Sequence, residues 1–286
     1  MTVILIWSPL LPLQYIHPPF LTQAAILMPS SSILPLEIKE TILDLLAEDD
    51  DDNHSALKVC SLVCHAFLPI CRKHIFGSIV LDDYLATYTP ISHALARLLY
   101  ERPEIADYIR KLDYTIGGTA STDPLIQETL KRISRLEFLT IWNYDSPQLD
   151  WCNNPIRPAL LHLLHLPTLT HFGVNNINNF AISDLIPCVN LKYLEIGVHT
   201  TGATEAAFPA ALPEQSIQLN EFVAELRTAD TIMKLCTARR PDGQPVIDFG
   251  SLSKIKFALE TRDEVEASQE LFRRCQLLTD VQISCK

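Results

Sequence analysis

Residues 57–76, LKVCSLVCHAFLPICRKHIF, set three cysteines and two histidines within twenty positions, and these are the side chains that hold zinc. Thiolates must lie ~2.3 Å from a common ion, whereas Cys60 and Cys71 on one helix would be ~16 Å apart at ~1.5 Å rise per residue. Only a sharp reversal at Pro69 would bring them together. On a helical wheel at about 100° per residue, Leu57, Cys60, Cys64, Phe67, Cys71 and Ile75 fall within an arc of roughly 80°. The segment therefore reads as one apolar stripe, with cysteine as a small buried hydrophobe, and no metal is expected.

Other chemistry-bearing residues are sparser. His162 and His165 sit three apart on a leucine-rich run with His171 beyond, but no HExxH or adjacent acid accompanies them, so a core-edge or surface role is expected. The run Asp49 to Asp52 lacks the alternating acids, central glycine and closing glutamate of a calcium loop and reads as a solvated connection. Arg72 and Lys73 read as a solvated helix end. The sequence has no nucleophile elbow, Walker loop or dinucleotide fingerprint. With eight glycines in 286 residues, phosphate cradles are poorly supplied. Catalytic carboxylate pairs leave no linear signature, so an enzyme on an α/β fold stays as a third reading.

The elements that position these residues belong to a folding chain, 48% hydrophobic and 20% charged. Length is consistent with two domains or one elongated repeat domain. The net charge of −11 is concentrated: residues 37–52 hold eight carboxylates against Lys39. No basic footprint for nucleic acid is present. The eight cysteines show no two-residue gap and lie in apolar runs, as free thiols of a reducing compartment would; a cytoplasmic or nuclear location is expected. Residues 1–27 contain no charged residue, and Pro9, Pro12, Pro18 and Pro19 argue against a spanning helix. Translation is expected to start at Met28, which leaves residues 1–27 outside the fold; a cleaved targeting segment is the rival.

From Ile33 the pattern is helical. Leu36, Ile38, Ile42, Leu43, Leu45 and Leu46 recur at helical spacing, a second helix fits from about Ser55 to Phe67, and Pro69 ends it or starts a third towards Phe76. Beyond Leu81, seven pieces share one apolar spacing: Ile109-Leu112-Tyr114, Leu136-Leu139-Ile141, Leu169-Phe172-Val174, Leu191-Leu194-Ile196, Leu219-Phe222-Ala224, Leu252-Ile255-Phe257 and Leu278-Val281-Ile283. Their intervals run from 22 to 33 residues, and amphipathic stretches such as PLIQETLKRI, IRPALLHLLHL, FAISDLI, ADTIMKLC and EVEASQELFRR lie between them. Strand–helix units of this length cannot bury an apolar face alone and must stack. Residues 199–216 and 238–245 read as loops.

This array resembles an irregular leucine-rich repeat, although Asn143 and Asn176 sit one place before the family's usual position. A doubly wound sheet is the runner-up. The stretch from Ile33 to about Leu81 resembles an F-box, especially those of mushroom-forming fungi. It does so through Leu34-Pro35, Glu37-Ile38, Ile42, Leu45-Leu46, Leu57, Cys60-Ser61-Leu62-Val63-Cys64, Phe67 and Arg72-Lys73-His74-Ile75-Phe76. Phe67 stands where that family often has Trp, and the Glu48–Ser55 connection is longer and more acidic than usual. The resemblance implies an α/β chain: a three-helix F-box module over residues 28–80, then a leucine-rich-repeat-like solenoid of about seven units over residues 81–286. It further implies docking onto a Skp-type adaptor, and through it a cullin–RING ubiquitin ligase, by Leu34, Pro35, Ile38, Ile42, Leu45, Leu57, Val63, Cys64 and Phe67. The repeats would present an unknown protein substrate. No catalytic residue, cofactor, nucleic acid or membrane is implied; the rival is a repeat scaffold with a degenerate F-box outside any ligase.

Overall fold

Leu112 and Tyr114 alternate with Lys111 and Asp113, and an extended backbone puts the apolar pair on one face and the polar pair on the other. That alternation, repeated along the chain, builds most of the molecule. The computed structural model describes residues 35–49, 54–63, 65–82, 91–117, 122–144, 149–203 and 213–285. The extension 1–27, Leu34, Cys64 and residues 50–53 of the acidic connection lie outside the described residues.

Two compact units divide between Ile75 and Phe76. The first contains helices α1 (Leu36–Asp49), α2 (Ser55–Val63) and α3 (Leu68–Ile75), each packed on the other two. Its core comprises Leu43, Leu57, Ile70, Cys71 and Ile75. The expected second helix ends at Val63, not Phe67, because residues 65–67 turn before Pro69 enters the first turn of α3, where a missing N–H costs nothing. The single continuous stripe is therefore split between two helices. Leu57, Cys71 and Ile75 are buried, whereas Cys60 and Phe67 are half-buried.

In the second unit, eight strands form one sheet whose members follow sequence order. They are β1 (Ser78–Leu81), β2 (Lys111–Ile116), β3 (Phe138–Asn143), β4 (His171–Asn175), β5 (Tyr193–Ile196), β6 (Glu221–Ala224), β7 (Lys254–Leu259) and β8 (Asp280–Cys285). Every neighbouring pair is parallel. The second and third residues of all seven expected spacings lie on β2 to β8. In register they form two apolar rows: Leu112, Leu139, Phe172, Leu194, Phe222 and Ile255, then Tyr114, Ile141, Val174, Ile196, Ala224 and Phe257, all buried. On β8 the same positions, Val281 and Ile283, are exposed. Strand β1 continues the sheet at the other end, so the array begins before residue 81.

This strand order lacks the reversal that defines a doubly wound sheet, and helices on both faces would erase the alternation of exposure. The chain is mixed α/β with a parallel sheet. Helices α4 (Ile91–Glu101), α5 (Pro124–Leu130) and α6 (Arg157–Leu164) pack in succession, as do α7 (Ala229–Thr237) and α8 (Arg262–Phe272). Local chemistry starts them: the Asp123 carboxylate accepts from the Leu125 N–H at 2.8 Å before Pro124 opens α5, and Thr261 with Glu264 forms a capping box on α8. The stretch FAISDLI forms a 3₁₀ turn, Ile182–Leu185, not a helix. Its unit is the shortest, with an interval of 22 from Leu169 to Leu191, and a tight turn spans that distance where a helix would not. In ARRPDGQP, Arg239 and Pro245 form an antiparallel bridge around a turn in which Gly243 has φ +82°. In the other expected loop, Gly202–Ala203 pairs with Phe180–Ala181, and residues 204–212 lie outside the described ones.

Candidate functional site

The helical unit exposes apolar surface on defined faces. On α1, Ile38, Ile42 and Leu45 are each about half exposed and share one face at i, i+4 and i+7, opposite buried Leu43. On α2, Val59, Leu62 and Val63 are exposed, Leu62 to 87%, while Leu57 on the opposite side is at 0%. Pro35 is exposed. Leu57 is therefore a core residue and not a docking residue: the stripe it belongs to is the one α2 turns towards α1 and α3. Leu36, Val59 and Leu62 are exposed apolar residues that the sequence reading did not select. The Asp44 carboxylate and the His74 Nε2 lie 2.7 Å apart and tie α1 to α3.

The sheet in the second unit carries its own surface. First-position residues of β2 to β7 are Lys111, Phe138, His171, Tyr193, Glu221 and Lys254; third-position residues are Asp113, Thr140, Gly173, Glu195, Val223 and Lys256. Three rings stack side by side across adjacent strands: Phe138 on His171 with centroids 4.0 Å apart, and His171 on Tyr193 at 5.4 Å. Beneath them Gly173 opens a shallow hollow of about 230 Å³, flanked by Thr140 and Glu195. A Cβ on Gly173 would sit 3.1 Å from the Thr140 Cγ2 and narrow it.

Charge on this face is uneven. Lys111 is paired with Asp113 at 3.2 Å. Burial pushes the Tyr193 phenol well above its usual range, and Glu195, which accepts the hydroxyl's hydrogen bond at 2.8 Å, adds to this with Glu221 and Glu225. Burial also holds the His171 imidazole below its ordinary value, against the opposing pull of Glu221 and Glu137, so the ring is neutral at pH 7. The Thr170 hydroxyl and His171 Nδ1 lie 2.8 Å apart and orient the ring.

The three candidate histidines are not brought together. His162 is exposed on α6, His165 Nε2 lies 2.9 Å from the Asp184 carbonyl, and His171 is on the sheet. Among the described residues no three His, Cys, Asp or Glu side chains are placed to hold a metal ion. Burial pushes the Cys275 thiol up to about 11, Cys236 to about 12 and Cys188 higher still, which makes them poor nucleophiles at neutral pH. Among the described residues no helix is long and apolar enough to cross a membrane.

The two early asparagines form a reciprocal pair. Asn143 Nδ2 donates to the Asn176 carbonyl at 3.2 Å, and Asn176 Nδ2 donates to the Asn143 carbonyl at 2.7 Å. They join adjacent units at the ends of β3 and β4.

No family model, curated protein or solved structure matches this chain. The aromatic row has a sequence signal: Phe138, His171 and Tyr193 each occupy the residue before the second apolar position in three successive units. That placement predicts a shared open-face row once the pieces are stacked.

Proposed function

We propose that this chain is the substrate-recognition subunit of an SCF-type (Skp–cullin–F-box) ubiquitin ligase. Helices α1 and α2 dock a Skp-type adaptor, and the open sheet face holds a protein substrate. The observation that carries the reading is the set Ile38, Ile42, Leu45, Val59, Leu62 and Val63, exposed on a helical unit whose own core is small. Apolar side chains gathered on chosen faces gain most when a partner removes them from water. The parallel sheet in sequence order and the Asn143–Asn176 pair support reading the second unit as a leucine-rich-repeat-like solenoid. The chain then has no chemistry to perform: it raises the local concentration of a substrate lysine, and the other ligase subunits carry out transfer. Cytoplasmic or nuclear residence goes with that role.

Co-purification of the full chain with a Skp-type adaptor tests this. Ile38→Asp combined with Val63→Asp is expected to abolish the complex while circular dichroism stays unchanged, since both side chains are exposed. No complex with the unaltered chain at micromolar concentration overturns the ligase reading. The scaffold with a degenerate F-box then takes its place, a reading favoured by the burial of Leu57.

A further inference from the structure

The open face of the sheet carries a stack of rings on β3 to β5 beside carboxylates on β5 and β6, and that arrangement selects a partner. Resting on the reading of this face as the substrate-recognition surface, we propose that it binds a basic segment of a protein, with one arginine or lysine side chain seated in the hollow over Gly173. At about 230 Å³ the hollow is below the ~300–1,000 Å³ of small-molecule pockets and suits a single long side chain. The aliphatic stem lies against the Phe138–His171–Tyr193 stack, as the stems of long cationic side chains do on apolar surface. The head group reaches Glu195, which lines the hollow, with Glu221 on the next strand.

Three observations favour a cation over an anion. Among the described residues no ion pair joins Glu195, Glu221 or Glu225 to a basic group, although their combined charge bears on Tyr193. Lys111, the one lysine lining the hollow, is already matched by Asp113. The neutral His171 adds no positive charge. Glu195 and Glu221 are half-buried, and a partly buried carboxylate gains more from a guanidinium or ammonium than a fully solvated one does, a bidentate arginine gaining most. Lys254, in register opposite Glu221, and Lys256, both exposed on β7, close the acidic zone on that side, so Glu195 on β5 is the principal carboxylate for the basic side chain.

The test is affinity selection from a randomised library of peptides of about twelve residues, which reach ~40 Å when extended, on the immobilised full chain. Recovered peptides are then measured by fluorescence anisotropy at physiological salt. Enrichment of arginine or lysine is expected, together with a loss of roughly tenfold or more in affinity for Glu195→Lys with Glu221→Lys. Glu128→Lys with Asp230→Lys changes net charge equally at exposed helix positions and is expected to leave affinity within about twofold. Recovery of no peptide, no excess of basic residues, or an equal loss in the helix variant overturns the proposal. Peptides without basic residues that only the sheet variant loses overturn the basic class alone and leave the face as the recognition surface. Adaptor binding by the helical unit is a separate readout throughout.

Discussion

The indole N–H of Trp151 donates to Oδ2 of Asp184 at 2.7 Å, inside the core of the second unit. Arg157 grips the same carboxylate, with Nη2 2.8 and 2.9 Å from its two oxygens. The Asp184 side chain is 8% exposed and Trp151 is fully buried, and this carboxylate ties the start of α6 to the following 3₁₀ turn. Removing it strands a fully buried indole donor and leaves the partly exposed Arg157 guanidinium without its carboxylate. Asp184→Ala is expected to lower the unfolding free energy by about 3 kcal/mol. Urea denaturation of the full chain measures this, and an unchanged midpoint would contradict it.

Leu57 and Leu62 are both leucines of α2, yet they should answer substitution differently. Leu57→Ala empties a fully buried site and is expected to cost about 2–4 kcal/mol. Leu62→Ser removes an exposed side chain and is expected to stay within about 0.5 kcal/mol of the unaltered chain, and, under the proposed ligase role, to weaken capture of a Skp-type adaptor. Thermal denaturation monitored at 222 nm separates the two; equal destabilisation would mean that the burial assignment is wrong.

Asn176 has φ 55°, a left-handed backbone that asparagine and glycine tolerate best. Asn176→Gly keeps that backbone and loses only the side-chain bond to Asn143, an expected cost of about 1 kcal/mol. Asn176→Ala adds backbone strain and is expected to cost about 1 kcal/mol more. A larger loss for Gly than for Ala would show that strain does not matter at this position.

Stability should fall in two steps as pH decreases. The folded state holds His171 below its ordinary value of 6.5 and so prefers the neutral ring; the unfolded chain takes up the proton first, and stability declines as pH drops below 6.5. Burial pushes the Glu264 carboxyl up, but bonds from the Glu260, Thr261 and Arg227 N–H groups and the Thr261 hydroxyl prevail and hold it below 4.5. Its contribution is present above pH 4.5 and is lost as pH falls through the lowered folded value. Denaturation midpoints across this range are expected to lose the upper step in His171→Phe and to show a smaller lower step in Glu264→Gln.

Much of the second unit was legible in the sequence because a strand's apolar period is local. The seven spacings place β2 to β8, and their 22- to 33-residue intervals leave room for one crossing each. Boundary errors have local causes as well: residues 65–67 turn, and the shortest unit tightens into a 3₁₀ turn.

Periodicity reports that a helix has an apolar stripe but not what that stripe meets. Leu57 faces the core and Val63 faces outward, six residues apart on one helix, and only packing against α1 and α3 separates them. Nor does periodicity bring together side chains from different units. The stack of Phe138, His171 and Tyr193, the hollow over Gly173, and the meeting of Trp151 and Arg157 at Asp184 join residues between 22 and 33 positions apart. The sequence by itself determined β2 to β8, most of the helices and, on β2 to β7, the side of each strand that is buried, because these depend on neighbours a few residues away. The tertiary structure alone decided which surfaces stay open and which charges lie unpaired on them, because both depend on the register between strands distant in the chain.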